Sequence, residues 1–323
     1  MISLTRVELT RYLSRRGVAL VLLAGIIVIG ALAAKTAWDT RPPSASELSN
    51  ARAQAALAAD DPQVKAEVID CRKHPSRYLG PQSTIADCAR ELQPTARSMI
   101  DRRTLSLHRV AATDGPRVAV LLAAAIVIGA ATFVGADWGT GSMRTQLLAR
   151  PRRGQVWVAK ATAVTLASAV YLAIGFALYW LVVALVADAR GISTDADTVR
   201  RILGLGGRAV ALGAGVGLGS FALTMLFRHT VATLGLLFAY AAGGEVLIAL
   251  LPIDGASRWS VGNNMFGWLK SGFSYLDQSL NCRSLPSCDN LHPLSHLDAG
   301  WFLGVLLVIA VAASVASFIR RDV

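Results

Sequence analysis

Six long apolar runs constrain this chain more than any other feature. They are Val18–Ala34, Val118–Ala136, Val156–Ala187, Arg208–Phe227, Thr230–Leu251 and Ala299–Ile319. A helix rises about 1.5 Å per residue, so about 20 apolar residues cross the roughly 30 Å hydrocarbon core of a bilayer. Charged residues are 16% of the chain and hydrophobic residues 54%, against about 25% charged in soluble domains. One soluble core cannot hide that much apolar surface. The runs predict an all-α polytopic membrane protein with six transmembrane helices.

Charge placement sets the expected topology. The formal net charge is +11, and the cations gather at the ends of the apolar runs, where Lys and Arg fix orientation. No basic stripe with interleaved aromatics is present, so the bilayer and not nucleic acid is the expected partner of this charge. Residues 137–155, between the second and third runs, carry Arg144, Arg150, Arg152 and Arg153, and Lys160 follows. Each cation would cost about 2.5–3.5 kcal/mol at a bilayer centre. The stretch therefore lies outside the hydrocarbon, on the cytoplasmic side. Its middle reads as a short helix. Gly139 and Gly141 allow a tight entry, Ser142 can cap, and Pro151 forbids continuation past Arg150. Met143, Leu147 and Leu148 fall on one side of it. Six spans then leave both termini cytoplasmic.

The other segments follow from this frame. Residues 1–16 read as an amphipathic interfacial helix, with Ile2, Leu9, Tyr12 and Leu13 on one side and Glu8, Arg11 and Arg15 on the other. The run after it exceeds the usual signal-peptide core of about 7–15 residues, so no cleavage is expected. Residues 17–36, 117–136, 156–187, 208–227, 230–251 and 299–319 are the spans. Residues 37–116 form a helical extracellular insert. Helices are expected at Glu47–Ala59, from Pro62 behind Asp61, and from Pro94 to about His108. Eleven Lys and Arg in the insert do not place it inside, because the positive-inside rule weakens for loops beyond about 60 residues. Asp188–Gly207 reads as an outer loop. Residues 252–298 read as an extracellular region with short or re-entrant helices around Trp259–Leu280. Gly213, Gly215, Gly217 and Gly219 make overlapping small-xxx-small patterns for close helix packing.

The stretch after the second span has a particular pattern. An acidic residue (Asp137), Gly139-Thr140, Arg144, Leu147-Leu148, Arg150-Pro151, Arg153 and then Lys160 in the next span resembles the permeases of type-2 ABC (ATP-binding-cassette) exporters. The family more often has Glu where this chain has Asp137. The resemblance extends to the interfacial helix, the six spans and the outer region before the last span; it does not cover the insert. It implies that residues 137–155 are a coupling helix docking into separate ABC ATPase subunits. Asp137, Gly139, Thr140, Met143, Arg144, Leu147, Leu148, Arg150 and Arg153 would form the coupling set. Arg144, Arg150 and Arg153 would touch the ATPase groove or lipid headgroups, and Met143 and Leu147 would fill its apolar part. It also implies pairing with a second permease copy, as a homo- or heterodimer. ATP and Mg would be bound by the partner ATPases, and a drug, peptide or lipid-like substrate exported across a bacterial plasma membrane. No cofactor is expected on this chain itself.

Other chemistry is sparse. No Gly-x-x-x-x-Gly-Lys-Ser/Thr loop, His-Glu-x-x-His motif or Gly-x-Ser-x-Gly elbow occurs, so the chain is not expected to be an enzyme. Glu245 is the one carboxylate expected well inside a span, either on the substrate path or as a structural partner. Cys71 and Cys88 lie in the first outer region, Cys282 and Cys288 in the second, and the expected disulfides pair them in that way, with cross-pairing between the two regions as the rival. Cys282, Cys288, His292 and His296 could instead hold zinc, but Pro293 disturbs the alignment of the two histidines. No metal is expected. A membrane-anchored sensor or assembly protein, or a secondary transporter, is the rival reading.

Overall fold

The computed structural model describes residues 2–80, 82–251, 253, 255–277 and 290–320. It divides into two compact units, residues 1–34 with 106–323, and residues 35–105. In chain order the helices are α1 (Ile2–Ser14), α2 (Arg16–Asp39), α3 (Ala45–Ala59), α4 (Pro62–Lys73), α5 (Pro75–Leu79), α6 (Ile85–Leu92) and α7 (Leu107–Gly139). They continue with α8 (Ser142–Ala149), α9 (Arg153–Ala189), α10 (Ala196–Phe227), α11 (Thr230–Ala239), α12 (Glu245–Leu250), α13 (Val261–Leu269) and α14 (His296–Arg320). A two-stranded antiparallel ribbon, β1 (Phe273–Leu276) and β2 (Leu291–Leu294), precedes α14.

Six helical segments are long and apolar enough to cross a membrane: α2, α7, α9, α10, the stretch Thr230–Ile248, and α14. The chain is a mostly helical, multi-pass membrane protein. Burial ranks the six. The apolar window of α7 is 67% buried, while those of α2, α14 and Thr230–Ile248 are at most 17% buried. So α7 is the centre, packed on α9 and α10, and the other three present most of their apolar surface outward.

Small residues allow this packing. A Cβ at Gly213 would meet the Leu172 side chain at 2.6 Å, and one at Gly217 would collide with Ser168. A Cβ on Gly215 or Gly219, on the adjacent face, would stand 3.7 or 3.6 Å from the Leu307 side chain of α14. The expected glycine pattern therefore splits into one pair against α9 and one against α14. Tyr171 of α9 donates to the Leu22 carbonyl of α2 at 2.9 Å, which fixes the first span against the third.

Three expectations fail. Residues 188–207 are not a loop throughout, because Asp195 caps the Thr198 N–H at 3.1 Å and starts α10 at Ala196. The charges there are spaced for helix, with Asp197 paired to Arg200 and Arg201 at 2.6 Å. The helix expected from Pro94 to His108 does not form. Thr95 and Ser98 instead satisfy each other's backbone within one turn, Thr95 N–H donating to Ser98 Oγ at 2.9 Å and Ser98 N–H to Thr95 Oγ1 at 3.2 Å. Such local bonds compete with helix propagation. The fifth span is not one regular helix either. A π-helical turn at Tyr240–Gly244 separates α11 from α12, where Tyr240 folds back onto Gly244, 2.7 Å from where a Cβ would stand.

The insert unit is helical and stapled. Ser44 and Glu47 form a capping box that starts α3 (Ser44 N–H to Glu47 Oε2, 2.8 Å). Asp61 caps α4 with Pro62 at its first position. Cys71 and Cys88, both fully buried, form a disulfide joining α4 to α6. Cys282 and Cys288 lie outside the described residues. Arg102 pairs with Glu47. The Arg102 bond, then the Ser44 backbone bond, hold the Glu47 carboxyl down at about 2, against an ordinary 4.5.

Candidate functional site

The short helix α8 has two faces with different fates. Gly141 adopts φ 72°, a left-handed turn that frees the chain from α7. Ser142 is the first helical residue rather than the cap. The helix ends at Ala149, with Arg150 extended ahead of Pro151. Met143 is fully buried in a cluster with Tyr12, Phe133, Trp157, Phe221, Met225 and Phe318. Leu147 packs against the same cluster. Both were expected to fill a partner's groove, but they anchor α8 to its own chain, because α8 must bury one face against the bundle. Leu148 is the exposed apolar residue, at 86%. Gly139, Thr140, Arg144, Thr145 and Arg150 are exposed beside it. Arg153 is half-buried and donates to the Ile319 carbonyl of α14 at 3.4 Å.

Beneath α8 lies a buried ion cluster. Lys160 Nζ stands 2.7 Å from Glu8 Oε2 and 2.6 Å from Asp137 Oδ2. All three residues are fully buried. Arg11 reaches Glu8 at 3.1 Å and Asp137 at 3.2 Å, and Arg15 also pairs with Asp137. Two side chains of α8 join the network. Arg11 donates to Ser142 Oγ at 3.0 Å, Ser142 donates to Asp137 at 3.2 Å, and Gln146 donates to Glu8. The Phe133 ring lies 5.2 Å from Lys160 Nζ and 5.1 Å from the Arg15 guanidinium. Buried charges are tolerated when every lone pair and proton is met, and are strongly destabilising when one partner is lost. The cluster thus ties α1, α7, α8 and α9 into one rigid corner.

This reverses the expected orientation of α1. Its charged side, with Glu8 fully buried, faces the protein, while Ile2, Val7 and Leu13 are exposed. Of the expected apolar side, Tyr12 alone is fully buried, edge-on to Phe133 at 5.1 Å. Glu8, Arg11, Arg15 and Gln146 were not expected in the site, and Lys160 was expected only as the last residue of the motif. The available signal was Lys160, a cation four residues inside an apolar run. A lysine there requires carboxylates; Asp137 adjoins the preceding run, whereas nothing in the spacing singles out Glu8.

The same corner is closed from the other side by the turn after α10. Arg228, at φ 57°, lies over the Trp138 ring at 4.6 Å. A Cβ on Gly135 would fall on the Thr230 side chain and 2.9 Å from its backbone nitrogen.

Glu245 opens α12, just after the π-helical turn of the fifth span. It is a partner of α13. Its Oε1 accepts the Gly262 N–H at 2.8 Å and its Oε2 accepts from Ser260 Oγ. Tyr240 OH accepts the Val261 N–H at 3.0 Å. The irregular fifth span thus holds the first turn of the short helix after it. Among the described residues no group of three or more His, Cys, Asp or Glu is placed to hold a metal.

No family model matches the chain, and no curated protein or solved structure is significantly similar to it.

Proposed function

We propose that the chain is the permease subunit of a type-2 ABC exporter, with α8 as the helix that receives force from a separate ATPase subunit. The observation that carries this reading is the two-faced build of α8. One face is locked into the bundle by Met143, Leu147, Ser142 and Gln146. The other offers Leu148, Arg144 and Arg150 to whatever meets it. A helix that only closed a loop would need the first face and not the second.

The proposed topology puts α8 and both chain ends in the cytoplasm. The insert and the region between the last two spans then lie outside. The reading adds a second permease copy, as homo- or heterodimer, in a bacterial plasma membrane. ATP and Mg are held by the ATPases, which supply the energy of hydrolysis. Motion of an ATPase against Leu148 and the arginines moves α8 as a body. The buried cluster passes that motion to α1 through Glu8, to α7 through Asp137 and to α9 through Lys160. A rigid corner suits this task because force is not lost in local rearrangement. The substrate, a drug, peptide or lipid-like molecule, would cross beside these spans. Glu245 serves in holding α13, so it is not assigned to substrate.

The test is affinity purification of the full chain in mild detergent, with partners identified by mass spectrometry. A stoichiometric protein carrying a phosphate-binding Gly-x-x-x-x-Gly-Lys-Ser/Thr loop is expected. It should be lost with Arg144→Glu combined with Leu148→Asp, two exposed positions whose change leaves folding intact. A pure, folded chain with no such partner overturns the reading and favours the sensor or secondary-transporter class.

A further inference from the structure

At the end of the bundle away from α8, a guanidinium is paired with no carboxylate among the described residues. Arg208 of α10 is half-buried. Its Nη1 lies 2.6 Å from His296 Nε2 at the start of α14, and His296 Nδ1 lies 2.8 Å from the Gly267 carbonyl of α13. Trp268 Nε1 donates to the Arg208 carbonyl at 2.9 Å. These bonds close a ring across α10, α13 and α14. Gly300 leaves room for the Trp268 ring, which would come within 2.9 Å of a Cβ there.

The ring sets the charge state. Arginine only donates, so His296 Nε2 accepts and Nδ1 carries the proton to Gly267, which makes the imidazole neutral. His296 therefore positions Arg208 without balancing it. Asp298, on the same helix as His296, is engaged by Ser295 at 2.8 Å and by Arg258 at 3.6 Å. Among the described residues no ion pair reaches Arg208, and its Nε is buried with no partner.

Depth narrows the occupant. Arg208 is 19 residues from Phe227, about 28 Å along a helix, close to the roughly 30 Å thickness of the hydrocarbon. With Phe227 taken as one edge of the hydrocarbon, the guanidinium falls at headgroup level on the opposite face. Charges within spans normally meet a counter-charge or water. A guanidinium fork matches the oxygens of phosphate in a bidentate way.

We propose that Arg208 is the ligand of an anion site for a phosphate group, carried by a lipid headgroup or free in solution, with His296 and Trp268 as positioning residues. Because the ring already fixes the side chain, little further freedom is lost on binding. The site does not depend on any ATPase partner, so it stands or falls apart from the transport reading.

The experiment titrates the purified full chain with dioctanoyl phosphatidylglycerol, with dioctanoylglycerol, which lacks the phosphate, and with inorganic phosphate. Binding is read from the thermal-unfolding midpoint, and bound lipid is counted by native mass spectrometry. A phosphate-bearing probe should saturate one site, with affinity falling at least tenfold in Arg208→Gln and unchanged in Arg258→Gln. Saturation by inorganic phosphate assigns a free anion; saturation by phosphatidylglycerol alone assigns a headgroup. Arg208→Lys, which keeps the charge and removes the fork, should bind severalfold more weakly and covers the case in which the glutamine variant fails to fold. Equal binding of dioctanoylglycerol, unchanged affinity in either Arg208 variant, or no binding of either phosphate probe overturns the proposal.

Discussion

The two ends of the helical bundle treat charge in opposite ways. At the α8 end, Lys160, Glu8 and Asp137 are fully buried and both carboxylates pair with Lys160 within 2.7 Å, with Arg11 and Arg15 completing the set. At the other end, Arg208 rests on a neutral imidazole. The first arrangement is complete and resists change. The second is held by a ring of hydrogen bonds and has no counter-charge among the described residues. One end of the bundle is thus balanced within itself, and the other is where the anion site is proposed.

Removing a charge should separate the two. Lys160→Met leaves two carboxylates buried together and should cost about 3–5 kcal/mol, read by thermal or denaturant unfolding in micelles. Changing Glu8→Gln and Asp137→Asn along with it should recover most of that loss; a triple variant no better than the single would break the account of the joint. The disulfide of the insert is a covalent counterpart. Reducing Cys71–Cys88, 17 residues apart, should lower the insert's stability by about 3 kcal/mol in the chain-entropy model, measured on matched oxidised and reduced samples.

Packing should show the same asymmetry. Gly135→Ala drives a methyl against the Thr230 backbone and should cost about 1–3 kcal/mol. Gly300→Ala meets only the Trp268 ring, which can move, so its stability loss should be smaller. At the open end, Arg208→Gln should cost under about 1 kcal/mol without phosphate, since it loses a hydrogen bond and no ion pair. A loss as large as that of Lys160→Met would erase the contrast between the ends.

The smallest effect belongs to a half-buried pair at the surface of the insert, Glu47 with Arg102. Glu47 titrates at about 2 in the fold against an ordinary 4.5, so its folded-state pKa is depressed. Its contribution to the insert is then complete above pH 4.5 and is lost as pH falls from 4.5 through about 2. Acid unfolding of the insert should lose that pH dependence in Arg102→Gln.

Much of the architecture was legible because local rules decide it. Length and hydropathy mark the spans, Pro151 ends α8, Asp61-Pro62 starts α4, and the spacing of Cys71 and Cys88 suits their disulfide. The joint was not legible, because Glu8, Asp137 and Lys160 are brought together by tertiary packing across 152 and 23 residues. The orientation of α1 was missed for a related reason. An amphipathic helix in water hides its apolar side, whereas here the charged side of α1 meets buried counter-charges. The absent helix after Pro94 and the early start of α10 turned on single side-chain caps, Thr95 with Ser98 and Asp195 with Thr198. The π-helical turn at Tyr240 depends on Tyr240 packing over Gly244, which no periodicity announces.

The proposed coupling sets the exposed face of α8 against an ATP-binding partner while its other face stays in the bundle. The most direct measurement places a benzoylphenylalanine photocrosslinker at Leu148 in living cells, with Leu166, an outward position on α9, as control. A crosslink from position 148 to a protein with a nucleotide-binding phosphate loop is expected, and none to that protein from position 166. Crosslinks from position 148 only to lipid or to a second copy of this chain would contradict it.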